Sequence, residues 1–142
     1  MLKTIMQASE NFCIHQIRLP YEINNGISQK RTIIAYVDIN KLDNIKYRVY
    51  LACDVNFMQR ILKLFLEEDK SNEEDLINMT LETTNMIIGS AKVIADDENE
   101  NPYTFSIPKF EKIDNFDYTY DEAKIIKIEK DEMMIAIRKT NV

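Results

Sequence analysis

Ser71-Asn72-Glu73-Glu74-Asp75-Leu76-Ile77-Asn78-Met79-Thr80-Leu81-Glu82-Thr83-Thr84-Asn85-Met86-Ile87-Ile88-Gly89-Ser90-Ala91-Lys92-Val93-Ile94-Ala95 contains no proline and is dominated by helix formers. Ser71 and Glu74 have the spacing of a capping box, in which each side chain satisfies an orphan amide of the other, so a long helix is predicted from about 72 to 95. Successive helical side chains stand ~100° apart. Asp75, Asn78, Glu82, Asn85, Gly89 and Lys92 therefore share one outward stripe, bordered by Met79, Met86 and Val93. Leu76, Ile77, Ile87, Ile88, Ala91, Ile94 and Ala95 lie on the opposite side and are expected to pack on a sheet.

The rest of the chain alternates in the manner of strands. Apolar and polar residues take turns in Phe12–Leu19, Thr32–Ile39 and Lys46–Asp54, with Pro20 ending the first and Asn24-Asn25-Gly26 marking a turn. The alternation in Lys46–Asp54 suggests one well-buried face. From Asn56 to Leu66 the period changes: Phe57, Met58, Ile61, Leu62, Phe65 and Leu66 predict an amphipathic helix, capped by Asp54 or Asn56. Tyr103, Phe105 and Ile107 mark a strand stopped by Pro108. Lys124–Glu129 and Met133–Lys139 read as a terminal hairpin turning at Lys130-Asp131-Glu132, whose exposed edge would be a reason to dimerise. Phe110–Tyr120 mixes aromatics with acids and yields no assignment. The expectation is an α/β chain of the α+β kind: a largely antiparallel sheet packed against two helices, one of them long, in a single domain over 1–142.

Composition removes several classes of chemistry. Two glycines, Gly26 and Gly89, cannot build a Gly-rich phosphate loop or a dinucleotide fingerprint. One histidine and two cysteines cannot supply an ordinary zinc site, so no metal is expected. Cys13 and Cys53 are read as reduced core residues, and His15 as a core or interface histidine. The net charge of −6 argues against nucleic acid, and the apolar runs fall short of the ~20 residues of a membrane helix. With no secretory signal visible, a cytoplasmic location is expected. The acidic run from Asp96 to Glu100 lacks the spaced ligands and glycine of a calcium loop and reads as a solvated connection.

A solvated helix face is ordinarily rich in Lys and Glu, whereas this stripe combines an acid, two carboxamides and a helix-weakening glycine. Gly89 either lets a partner's backbone approach or relieves crowding where another element crosses. Glu-x-x-Asn by itself is weak: it occurs at Glu22/Asn25, Glu82/Asn85 and Glu98/Asn101, and thirteen of each residue make about one occurrence expected by chance. Only Glu82/Asn85 sits mid-helix, where i,i+3 spacing aims both side chains at a common point.

The run Glu82-Thr83-Thr84-Asn85-Met86-Ile87-Ile88-Gly89-Ser90-Ala91-Lys92 resembles the long-helix signature of the CheC/CheX family of chemotaxis phosphatases: Glu-x-x-Asn, a short apolar stretch, glycine, and often Ala-Lys. Phe105-Ser106-Ile107-Pro108 is similar to the proline-ended strand that follows that helix in CheX-type members. A single credible motif resembles the one-site CheX branch rather than the two-site CheC and FliY branches. Two departures stand out: Asn78 replaces the usual Asp or Ser, and Met1–Asn11 shows little of the family's N-terminal helix.

The resemblance implies a phosphatase acting on the aspartyl phosphate of a CheY-like response-regulator receiver domain. Asn85 would position the attacking water and Glu82 would pair with a receiver lysine, while Asn78, Met86, Gly89 and Lys92 would dock the partner. It implies no cofactor of the chain's own, a divalent cation (Mg) in the receiver, and a homodimer. The alternative is a catalytically inactive module of the same type that docks a receiver or a flagellar-switch component.

Overall fold

A computed structural model describes residues 1–41, 44–67, 70–97 and 103–140. Helix α1 (Leu2–Phe12) runs into a π-helical turn (Cys13–Ile17), followed by β1 (Glu22–Asn25), β2 (Arg31–Lys41) and β3 (Lys46–Asp54). Then come α2 (Val55–Leu66), α3 (Glu73–Asp97), β4 (Tyr103–Phe105), β5 (Lys109–Asn115), β6 (Glu122–Ile128) and β7 (Asp131–Lys139). The seven strands form one antiparallel sheet in the order β1-β6-β7-β3-β2-β4, with β5 also paired to β2.

Alternation in the central strands sends one set of side chains toward the helices. Ile33 and Val37 of β2, Val49 and Leu51 of β3, and Ile135 and Ile137 of β7 join Ile5 of α1, Phe57 and Ile61 of α2, and Ile87, Ile88 and Ala91 of α3 in one core. The opposite sheet face is covered as well, so the expectation of a single buried face is corrected. Ile34, Tyr50, Ala52, Met134 and Ala136 are buried there under Phe116, whose ring meets Tyr50 edge-on at 5.3 Å. Tyr118 stacks on Tyr50 at 4.9 Å. The unassigned stretch 110–120 is thus most of β5 followed by an aromatic cover.

The N-terminus departs most from expectation, because Phe12–Leu19 is helical rather than extended. Leu2, Ile5, Met6, Ala8, Ser9 and Phe12 are buried at helical spacings, so Met1–Asn11 supplies the helix its sequence hardly announces. The buried residues Phe12, Cys13 and Ile17 fit a wider turn in which Arg18 N–H donates to Cys13 O at 2.7 Å. Arg18, with φ +61°, then ends it. The terminal hairpin turns at Glu129-Lys130, one residue earlier than expected, and neither of its strands is an edge, since β1 flanks β6 and β3 flanks β7.

One buried carboxylate ties the pieces together. Asp54 caps α2 by accepting the Phe57 N–H at 2.8 Å and accepts the Glu132 N–H of β7 at 2.7 Å. It also pairs with Lys30 at 3.3 Å, whose ammonium donates to the Lys130 carbonyl as well. Nearby, Arg60 of α2 holds buried Asp131 at 2.6 Å. Asp54→Ala loses a helix cap and leaves a partly buried amide unpaired, so it should cost about 2–4 kcal/mol in urea unfolding. A loss within error of zero would show that the junction holds without it.

Both cysteines are free and buried, as expected. Burial, and then the nearby Glu10, pushes the Cys13 thiol up to about 12; burial likewise raises Cys53 well above its ordinary value. Unfolded thiols ionise near ~8.5 while the folded ones stay protonated, so the Cys13 contribution is complete below that pH and is lost as pH rises toward 12, and the Cys53 contribution is lost in the same direction. Stability should therefore fall by ~1.4 kcal/mol per pH unit per thiol across that interval. Urea midpoints from pH 7 to 10 measure the slope, and Cys13→Ala should remove one thiol's share of it.

Candidate functional site

Helix α3 starts one residue later than a Ser71 cap would have it. Asn72 Oδ1 accepts the Asp75 N–H at 2.8 Å. Ser71 is engaged elsewhere, giving its N–H to Gln59 Oε1 of α2 at 2.9 Å, so the Ser71/Glu74 box is replaced by an Asn72 cap. Glu73, Glu74 and Asp75 occupy the first turn, where negative charge complements the helix dipole. The 25 residues of α3 make a rod about 37 Å long at 1.5 Å per residue.

Its buried side is apolar with a threonine seam. Thr80 donates to Leu76 O at 2.8 Å and Thr84 to Thr80 O at 2.7 Å, which satisfies those hydroxyls within the helix. The Thr83 hydroxyl is buried without a hydrogen-bond partner among the described residues. With Ile87, Ile88, Ala91 and Ala95 held in the core, the opposite stripe must face outward.

The structure brings the sequence-selected residues together on that stripe. Asn78, Glu82, Asn85 and Met86 are exposed, while Asp75, Gly89 and Lys92 are half-buried. Glu82 and Asn85 make no side-chain hydrogen bond or ion pair among the described residues, and i,i+3 spacing sets their Cβ atoms about 5–6 Å apart. Met86 (39% exposed) and Val93 (60%) border the stripe, but Met79 turns into the core. A Cβ built on Gly89 meets nothing within 4 Å, so crowding inside the chain does not explain that glycine. The Glu22/Asn25 pair lies in β1, and Glu98/Asn101 falls outside the described residues.

Sequence reasoning missed the wall beside this stripe. Asn11, Phe12, His15 and Gln16 from α1 and the π turn face Met86 and Ser90 across a cleft of about 210 Å³. His15 is exposed there and is not a core residue. The helical spacing of Leu2, Ile5, Met6 and Phe12 was the available signal.

Among the described residues, no three His, Cys, Asp or Glu side chains group as a metal site, and no helix is long and apolar enough to cross a membrane. Burial of both thiols, with their raised pKa, leaves them unsuited to nucleophilic work. What the surface offers is a carboxylate and a carboxamide, side by side on a rigid helix, free to engage groups brought by another molecule.

The family model described as "Chemotaxis phosphatase CheX" matches residues 33–129. No curated protein matches the chain. Among solved structures, chemotaxis protein CheX from Vibrio vulnificus superposes with a TM-score of 0.78 at 16% identity, covering 96% of this chain and 97% of that one. A chemotactic CheC-like protein from Shewanella oneidensis gives 0.80 at 14% identity, covering 97% and 96%. A chain of the CheX–CheY–BeF3–Mg2+ complex from Borrelia burgdorferi gives 0.67 at 15% identity, covering 96% and 97%. At these identities the likeness is one of fold, and it bears out the antiparallel sheet with its helical layer.

Because Gly89 has open space around it, Gly89→Ala should stabilise the isolated protein by about 0.5–1 kcal/mol through helix propensity alone. Thermal or urea unfolding measures this. A loss of stability would return Gly89 to a packing role.

Proposed function

Because the chain belongs to the CheX family of chemotaxis proteins, we propose that it hydrolyses the aspartyl phosphate of a CheY-like receiver domain, with Asn85 placing the water. The observation that carries this reading is the exposed, uncommitted Glu82/Asn85 pair one turn apart on α3. The Borrelia relative was captured with CheY, BeF3 and Mg2+, which supports a receiver as the partner.

The chemistry asks little of the chain itself. Water attacks phosphorus as the bond to the aspartyl oxygen breaks; the carboxylate is restored and inorganic phosphate leaves with the water's oxygen. A carboxamide suits the positioning because it accepts a hydrogen bond from the water, donates another, and stays neutral beside an anionic phosphoryl group. A carboxylate at position 85 would add like charge. Glu82, one turn earlier, would pair with a lysine of the receiver and fix the helix register over the phosphorylated pocket. A divalent cation in the receiver would neutralise charge on the phosphoryl oxygens.

Asn78, Met86, Gly89 and Lys92 surround the pair and form the proposed docking face. Met86 supplies adaptable apolar contact, and the missing side chain at Gly89 allows close backbone approach. A homodimer belongs to the same reading. Its physical support is β1, a sheet edge with every residue exposed, paired only with β6 among the described strands.

With a phosphorylated receiver in excess, Asn85→Ala should keep fold and binding while turnover drops by ~10²–10³, or ~3–4 kcal/mol. Glu82→Ala should weaken binding and turnover together. Loss of aspartyl phosphate is the readout, with affinity measured separately. Undiminished turnover by both variants rejects the assignment; binding without turnover by the native chain makes it a docking module.

A further inference from the structure

The wall that α1 and the π turn raise beside α3 carries polar groups that the fold leaves unused. Asn11 of α1, His15 and Gln16 of the π turn, and Ser90 of α3 rim the cleft of about 210 Å³ between them. Phe12 and Ile87, both buried, give it an apolar floor. The side chains of Asn11, His15, Gln16 and Ser90 make no hydrogen bond or ion pair among the described residues. His15 is engaged only through its backbone carbonyl, which accepts from Arg18 Nε at 3.2 Å. The wide turn explains how these groups are presented: Cys13 and Ile17 are buried at its two ends, and Ile14, His15 and Gln16 between them all stand exposed. Turns of this rare kind occur frequently at functional sites.

The lining restricts what fits. Among the described residues no carboxylate, ammonium or guanidinium lines the cleft, so a charged side chain entering it would lose water without gaining a counter-charge. An apolar floor under a rim of carboxamides, an imidazole and a hydroxyl matches instead an apolar side chain flanked by its own backbone N–H and C=O groups. Position decides which molecule brings it. Glu82, Met86 and Ser90 follow one another at four-residue spacing, so one ridge of α3 runs from the proposed receiver contact into the cleft. The stripe on α3 offers far fewer residues than the ~20–30 a side that specific interfaces use, so a receiver seated over Asn85 must reach onto a neighbouring element.

Resting on the receiver reading above, we infer that this cleft is the second half of the docking surface. It takes one apolar side chain from a loop of the receiver, while His15, Gln16 and Ser90 hydrogen-bond that loop's backbone. These residues touch the partner away from the phosphoryl group, so they set affinity and partner choice. Binding lost equally from the ground and transition states raises KM and leaves kcat in place.

CheY-like receivers from the same organism, loaded with beryllofluoride and Mg2+, serve as the binding probe, and the same receivers phosphorylated serve for turnover. Ser90→Trp fills the cleft from an exposed position; it should weaken binding about tenfold or more and raise KM in proportion, with kcat within about twofold and the melting temperature retained. The double change His15→Ala, Gln16→Ala leaves the cleft open but strips its rim, should weaken binding about three- to tenfold, and serves if Ser90→Trp fails to fold. A photoreactive benzoylphenylalanine in place of Gln16 should cross-link the loaded receiver; the same group in place of Tyr120, beside Phe116 on the other face of the sheet, should not. Native binding that both cleft variants retain in full overturns the cleft and leaves the role of Asn85 standing. Asn85→Ala with undiminished turnover does the reverse, and a native chain that binds no loaded receiver overturns both. Native binding without turnover leaves affinity and cross-linking to decide the cleft.

Discussion

Ile87, Ile88, Ala91 and Ala95 fasten α3 to the sheet, and the orientation of every outward residue on that helix follows from the attachment. A helix cannot present one residue without fixing its neighbours, because each side chain is held ~100° from the next. Rolling α3 by a single residue would carry Glu82 toward an apolar core. Burying an unpaired carboxylate costs several kcal/mol, more than a slightly different packing could return. The outward aim of Glu82 and Asn85 is therefore enforced by residues on the other side of the rod.

The rod needs a stable floor. β2, β3 and β7 form the centre of the sheet and are covered on both faces, by helices on one and by the Phe116–Tyr118 aromatics on the other. Asp54 stands where β3 hands over to α2 and also holds the first residues of β7, so the helical layer and the terminal hairpin share one anchor. The second polar anchor, Arg60 with Asp131, repeats the link between α2 and that hairpin a short distance away. α1 and its π turn then close against α3 and form the wall of the cleft beside Met86.

The legibility of these features differs for physical reasons. The stripe on α3 was readable because twenty-odd residues without proline give a long periodic signal, and β2, β3, β6 and β7 were readable from alternation. Cys13, His15, Ile17 and Leu19 misled because residues two apart, three of them apolar, mimic one face of a strand; only the helical spacing upstream, from Leu2 to Phe12, breaks the tie. Ser71 and Asn72 are both competent caps, and the choice between them is made by Gln59, a residue of another helix. The stretch 110–120 was opaque because Phe116 and Tyr118 are selected for covering Tyr50, a tertiary demand without a period of its own. In the same way the sequence marked Glu82 and Asn85, yet could not show that His15 stands exposed across a cleft from Met86.

The exposed pair on α3 adds no polar link to the fold: neither side chain caps the helix or makes a hydrogen bond or ion pair among the described residues. Folding quality control is therefore blind to both. A descendant that exchanged either one would still be made, would still survive proteolysis, and would reach the same abundance as its parent. Architecture gives such residues no protection, so their persistence in a lineage would be a record of use.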